Sequence, residues 1–267
     1  MASRAEQKAA AKAEREALEQ AHAAAARRAR LVRLGGGLGV AVVVVIALII
    51  ISSSGGGGKK TSAAPSNVTA TAVTATLVGI PQTATTLGSS TAPVTVTEWG
   101  DLECPICADF AQNAENNLIS SDVRSGRVKL VYRSLQTATQ DPGIFVTQQA
   151  AAYAAGAQAR AWNFIELFYN EQGAEDSGYV TASYLDGLAK QIPGLNYAKW
   201  LSASTLSTYS NGVTADEQDA AKAGFNSTPT IVVVGPKGSA QPITGAVDYA
   251  TLEQAIQSVS AAGSAKS

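Results

Sequence analysis

The chain has 267 residues, 46% of them hydrophobic and 15% charged, enough for one or two domains with a sizeable core. Its net charge of −1 hides an asymmetry: ten Lys or Arg stand against four acidic residues in 1–60, and ten against seventeen in 61–267. The acidic second part argues against a nucleic-acid partner, whose phosphates need a basic face. The single histidine, His22, lies in the first part and leaves the rest without histidine-dependent hydrolysis.

Residues 2–33 are mostly Ala, Glu, Gln, Lys and Arg with no Gly or Pro, which predicts a charged helix without a continuous apolar stripe. Arg27, Arg28, Arg30 and Arg33 then precede the apolar run 34–51, whose eighteen residues span about 27 Å as a helix, enough for a bilayer core. A cleaved signal peptide is the rival reading. The 33 residues before the run are long for one, and Ser52-Ser53-Ser54-Gly55 is a weak cleavage site, so an uncleaved anchor with its arginines inside the cell is expected. Residues 52–76, rich in Ser, Gly, Thr and Ala, have too few large apolar groups to pack and are expected to form a tether.

A globular domain is expected over 77–263. Leu77 to Gly88 predicts a short hairpin or edge strand. Val94 to Trp99 alternates as a strand does, Gly100-Asp101 is a turn, and Ala108 to Ile119 carries Phe110, Ala111, Ala114 and Leu118 at helical spacing. Val128 to Tyr132 is a second, mostly apolar strand, so strand, helix and strand form a right-handed crossover. Five helical stretches follow: 143–159, 161–170, 181–192, 197–203 and 214–224. Their aromatics Phe145, Tyr153, Trp162, Phe164, Phe168 and Trp200 are expected in the core. Thr230 to Val234 is a strand, Gly235 to Gly238 a turn, Gln241 to Thr244 its partner and Tyr249 to Val259 a closing helix. This order predicts an α/β fold with a mixed sheet and a helical insertion at about 143–224.

The two cysteines of the chain stand together as Cys104-Pro105-Ile106-Cys107, at a strand-to-helix junction. A thiol at a helix N-terminus is favoured as thiolate by free N–H groups and the helix dipole, and a second thiol one turn later can close a disulfide with it. Three other uses compete. A structural zinc needs four ligands, and His22 beyond the anchor is the sole further histidine or cysteine. A structural disulfide here would close a loop too short to remove much chain entropy. Two inert core thiols fit poorly with a proline between them. Asp101 and Glu103 are expected to be exposed beside Cys104, where their charge would oppose the thiolate.

The stretch from Ala92 to Cys107, with Trp162-Asn163-Phe164 and Ser227-Thr228-Pro229-Thr230, resembles the thioredoxin fold in its DsbA-like branch, over roughly 77–262. The resemblance implies that Cys104 is an exposed nucleophile and Cys107 a buried resolving thiol. It makes Pro105 and Ile106 the active-site dipeptide and Pro229 a cis-proline, with Thr228 backbone groups free to pair with an extended substrate. It also implies that Glu98 is the acidic residue that exchanges a proton with the resolving thiol; a strand glutamate facing water is the equal alternative. Pro105-Ile106 departs from the most oxidising relatives, which have a histidine between the cysteines.

The implied activity is that of a membrane-anchored, extracytoplasmic thiol-disulfide oxidoreductase that oxidises cysteine pairs in exported proteins. It would act as a monomer without metal or other cofactor and be reoxidised by a quinone-linked membrane partner. A reductase or isomerase running the same chemistry backwards, and a non-catalytic binding or chaperone domain, are the other readings.

Overall fold

The structure, a computed structural model, describes residues 68–261. The charged helix expected at 1–33, the anchor expected at 34–51 and most of the expected tether lie outside the described residues. Among those described, no helix is long and apolar enough to cross a membrane.

The first element corrects the sequence expectation. Val68–Leu77, expected as the end of the tether up to 76 and the start of a hairpin at Leu77, is a helix (α1) whose Ala70, Val73 and Leu77 are buried. These positions lie at i, i+3 and i+7, so small residues make an apolar stripe that the Thr-rich composition conceals. Gln82–Thr83 (β1) and Thr86–Leu87 (β2) then form a hairpin.

The site is carried by β3 (Val94–Gly100), which alternates buried and half-buried positions until its last three residues, all buried. β4 (Val128–Ser134) lies parallel to β3, and β5 (Thr230–Gly235) lies antiparallel on its other side. With β6 (Gly238–Ser239) the sheet order is β1-β2-β4-β3-β5-β6, and β7 (Ile243–Thr244) also pairs with β5. This is the expected mixed sheet.

Between β3 and β4 the chain is helical from Pro105 to Val123, longer than expected and not uniform. α2 (Pro105–Phe110) passes into a π-helical turn (Ala111–Glu115), then α3 (Asn116–Leu118) and a second π turn (Ile119–Val123). Each π turn widens the helix by one residue and re-aims the side chains around it.

The insertion comprises α4 (Pro142–Gly156), α5 (Ala161–Asn170), α6 (Ala182–Gln191), α7 (Tyr197–Ser204) and α8 (Ser207–Ala223). Three of these begin on side-chain caps, Asp141, Thr181 and Asn196, each accepting backbone N–H bonds. α8 starts at Ser207 rather than Thr214 and ends at Gly224, whose φ of 76° is the left-handed cap glycine favours. The early start runs through weak helix formers, held by packing of α8 on α4.

α5 is buried along nearly its whole length and fastens the insertion to the sheet. Trp162 donates its indole N–H to the Thr85 carbonyl at 2.9 Å and meets Tyr132 of β4 edge-on. The expected core aromatics Phe145, Trp162, Phe164, Phe168 and Trp200 are all buried. Tyr153 is half-buried, its hydroxyl bonded to Asp216 and to the Ser134 N–H. The chain closes with α9 (Tyr249–Val259), capped by Asp248 and packed on β5.

Candidate active site

Strand β3 delivers the chain to a tight turn at its end, and Cys104 is the N-cap of α2, with Pro105 at the first helical position. Pro is suited there because its fixed φ matches the helix and its missing N–H is not needed. Cys104 Sγ accepts the Cys107 backbone N–H at 3.3 Å. Both thiols are free. Cys104 is 5% exposed and Cys107 fully buried, so the expected contrast between an exposed and a buried sulfur is a small difference within one buried pair.

The Thr228-Pro229 peptide is cis and brings its loop against the pair. The Cys104 thiol donates to the Thr228 carbonyl at 3.5 Å, so in this state that carbonyl is engaged by the enzyme's own sulfur rather than free for a substrate backbone. The Thr228 hydroxyl meets that of Thr137.

As a thiolate, Cys104 accepts from the Cys107 side chain first, then from the Thr228 hydroxyl and the backbone N–H groups of Cys107 and Ile106. These donors outweigh burial and lower its pKa. Cys107 goes the other way. Burial, the Cys104 hydrogen bond and the charges of Cys104 and Glu98 push it well above the ordinary thiol range. One sulfur is shifted toward the thiolate and its neighbour toward the thiol, the asymmetry that thiol-disulfide exchange uses.

Glu98 is fully buried beneath the pair, which settles its position against the water-facing alternative. Burial is the main reason its pKa is raised to about 8. A hydrogen bond from Glu115 opposes this, and the charges of Glu166 and Cys104 add to it. Tyr169 of α5 donates to Glu98 Oε1 at 3.4 Å. Gly100 makes this close packing possible: a Cβ there would lie 2.8 Å from Tyr132 Cε2, 2.8 Å from Tyr169 Oη and 2.9 Å from Glu98 Oε1.

Asp101 and Glu103 are not exposed, at 0% and 3%. Asp101 is enclosed because it organises the turn. Its carboxylate accepts the backbone N–H groups of Thr137, Ala138 and Thr139 at 3.0, 2.9 and 2.9 Å, that of Glu103 at 3.1 Å and the Thr139 hydroxyl at 2.6 Å. Gln172 adds a second clamp by donating to the carbonyls of Leu102 and Cys104 at 2.7 and 3.1 Å. Glu103 flanks a cleft of about 260 Å³ lined also by Asp141, Ile144, Asp176 and Val180. Burial raises its pKa.

The structure thus brings together Cys104, Cys107, Glu98, Thr228 and Pro229, with Pro105 and Ile106 in the helix start. Asp101, Tyr169 and Gln172 were missed as organisers, and Glu115 and Glu166 as neighbours of Glu98. Glu115 had a signal: it stands four residues after Ala111 and three before Leu118, a glutamate inside an apolar stripe. Glu166 likewise sits within the almost wholly apolar Phe164-Ile165-Glu166-Leu167-Phe168-Tyr169. Among the described residues no group of His, Cys, Asp and Glu is arranged to hold a metal ion.

Comparison with known proteins agrees with this geometry. A family model described as thioredoxin matches residues 81–258, and the chain belongs to that family. Within it, the paired thiols at a helix start make the protein a thiol-disulfide oxidoreductase, and the fold with its helical insertion is similar to that of DsbA proteins. It is 24% identical over 171 residues to disulfide bond formation protein D of Bacillus subtilis (strain 168), covering 64% of this chain and 74% of that protein. Among solved structures it is similar to oxidised BdbD from Bacillus subtilis, with a TM-score of 0.57 and 22% identity over 67% of this chain and 96% of that one. It is also similar to DsbA2 of Pseudomonas aeruginosa, with a TM-score of 0.56 and 24% identity over 70% of this chain and all of the other.

Proposed function

We propose that the protein oxidises cysteine pairs in exported proteins, outside the cytoplasm and held at the membrane by residues 34–51. The observation that carries this reading is the opposed tuning of the two sulfurs. Donors at the helix start lower the Cys104 pKa, and burial holds Cys107 as a thiol. Stabilising the Cys104 thiolate stabilises the reduced enzyme, which makes its disulfide a stronger oxidant. The name of the Bacillus relatives, disulfide bond formation protein D, supports the same direction.

In the reaction, a substrate thiolate attacks Cys104 Sγ and the Cys104–Cys107 bond breaks, its electron pair leaving on Cys107. Glu98, still protonated near neutral pH, gives Cys107 a proton. The second substrate thiolate then attacks the substrate sulfur of the mixed disulfide, and Cys104 leaves as thiolate. The substrate gains a disulfide and the enzyme holds two electrons, which a quinone-linked membrane protein removes. The exchange moves electrons as sulfur–sulfur bonds and requires no metal, flavin or nucleotide. An anchor keeps enzyme and reoxidase at high effective concentration, and a monomer suffices because one chain supplies both thiols.

The test is the reduction potential of the full-length chain in detergent, read by thiol alkylation across a glutathione series. A value near about −120 mV supports oxidation, and one near about −270 mV favours a reductase. Absence of a reversible Cys104–Cys107 disulfide would leave only a binding domain.

A further inference from the structure

Glu98 and Cys107 are both fully buried, and this poses a question of supply. Each turnover moves one proton between them, and that proton must be replaced. The titratable groups facing Glu98 are Cys104 and Cys107 from α2, Tyr132 from β4, Tyr169 and Glu166 from α5, and Glu115 from the first π turn. The two tyrosines are held well above the ordinary phenol range, chiefly by burial, and do not ionise. The two carboxyls remain.

Glu115 is fully buried, and neither of its side-chain oxygens has a partner when the group is a carboxylate. Glu98 Oε2 and Glu166 Oε1 are in the same position. What these oxygens face is one another, because Glu115 lies within hydrogen-bonding reach of Glu98 on one side and Glu166 on the other. Two carboxyls in contact form a hydrogen bond only if one of them carries a proton. Three carboxyls in a row make both bonds with two protons, so the row is satisfied at a charge of −1. The outermost member, Glu166, is 7% exposed, whereas the other two are closed to water. Glu115 is the last residue of the π turn Ala111–Glu115 and is buried there.

We propose that Glu115 and Glu166 extend Glu98 into a three-carboxyl proton relay between solvent and the buried Cys107 sulfur. The proposal rests on the oxidoreductase reading above. When Cys107 leaves as a thiolate it takes the Glu98 proton. Glu98 takes one from Glu115, Glu115 takes one from Glu166, and Glu166 takes one from solvent. The net change is one proton from water to sulfur, with the row restored. On reoxidation Cys107 gives up its proton along the same row in reverse and attacks Cys104 Sγ. The thermodynamics suit neutral pH. Glu166 is raised to about 7, mainly by burial, and Glu98 to about 8, while burial and both neighbours hold Glu115 well above the ordinary carboxylate range. Glu115 thus passes protons on without remaining ionised. Glu115 and Glu166 act through Glu98 and are positioning residues, touching neither sulfur nor substrate.

The experiment is single-turnover reduction of the full-length disulfide form by dithiothreitol from pH 5.5 to 9. Wild type is compared at each pH with Glu115→Gln, Glu166→Gln and Glu115→Asp. Glutamine keeps the shape and hydrogen-bonding reach of glutamate but carries no transferable proton. The expected result is a reversible disulfide in all four proteins, with Glu115→Gln about tenfold slower near pH 7 and its pH profile flattened. Glu166→Gln should be slowed in the same pH range, and Glu115→Asp should recover most of the rate. Rates within about twofold of wild type at every pH for both Gln variants would overturn the relay and show that protons enter on the cysteine side. Should Glu115→Gln fail to fold, Glu166→Gln at the rim decides by the same criterion. If wild type itself forms no reversible disulfide, the oxidoreductase reading falls and the relay with it.

Discussion

Asp101 places a carboxylate where no solvent reaches it, and five donors within 3.1 Å, four backbone N–H groups and one hydroxyl, account for its charge. It therefore joins the turn before Cys104 to the 137–139 loop that also carries Thr137, the partner of Thr228. Asn at this position offers one acceptor oxygen and turns an N–H₂ toward donors. Asp101→Asn should cost about 2 kcal/mol and lower Tm by roughly 5 °C, with faster amide exchange at 137–139 as the local readout. Protection at these amides equal to wild type would mean that the loop is held by something else. Gly100 poses a different problem at the same scale, since its neighbours leave no room for a methyl group. Gly100→Ala should displace the Glu98 carboxyl from Tyr169 and cost about 1–3 kcal/mol, measured as a fall in the urea midpoint.

At the scale of elements, α1 shows how packing overrides composition. Its ten residues set four threonines and two valines, which disfavour a helix, against three alanines and a leucine, which favour one, so intrinsic preference does not decide. It forms because Ala70, Val73 and Leu77 find a surface on α5. Leu77→Ala should then cost about 2–5 kcal/mol, an effect a residue outside the core would not show. A change below about 0.5 kcal/mol in chemical denaturation would place α1 outside the cooperative fold. Strands β3, β4 and β5 and the strand-to-helix junction at the cysteines were legible because alternation, apolar runs and turn residues act locally. The candidate site was legible in the placement of its two sulfurs and its proline, while for Glu98 the residues left a water-facing strand position equally open. Asp101, Glu103, Glu115 and Glu166 were not, because a charged residue is expected at the surface and only the tertiary partners explain an exception. The π turns escaped for a related reason: periodicity detects an apolar face but not one extra residue within a helical run.

For the whole molecule, the buried carboxyls set the direction in which stability depends on pH. Glu98 and Glu166 rise from an ordinary value of 4.5 to about 8 and about 7, and Glu115, Glu103 and Glu217 are also raised, with burial the largest cause for each. In the disulfide form the thiols do not titrate, so between about pH 5 and 8 these carboxyls dominate. The native state then holds protons that the unfolded chain has released. The stability these groups supply is accordingly complete below about pH 4.5 and is lost as pH rises through the native values of about 7 and 8, by up to about 1.4 kcal/mol per pH unit for each of the fully buried carboxyls Glu98, Glu115 and Glu166 and less for Glu103 and Glu217. Asp219 and Asp248, both lowered, have the opposite sign, but they are exposed and act below this range. The urea midpoint of the oxidised protein should therefore fall steadily from pH 5 to 8. Glu115→Gln, which removes one of these protons while keeping the side chain's shape, should show a shallower fall and be the more stable protein at pH 8. A wild-type midpoint that is flat or rises over this interval would mean that the three carboxyls ionise as they do in the unfolded chain, and would remove the proton store on which Cys107 depends.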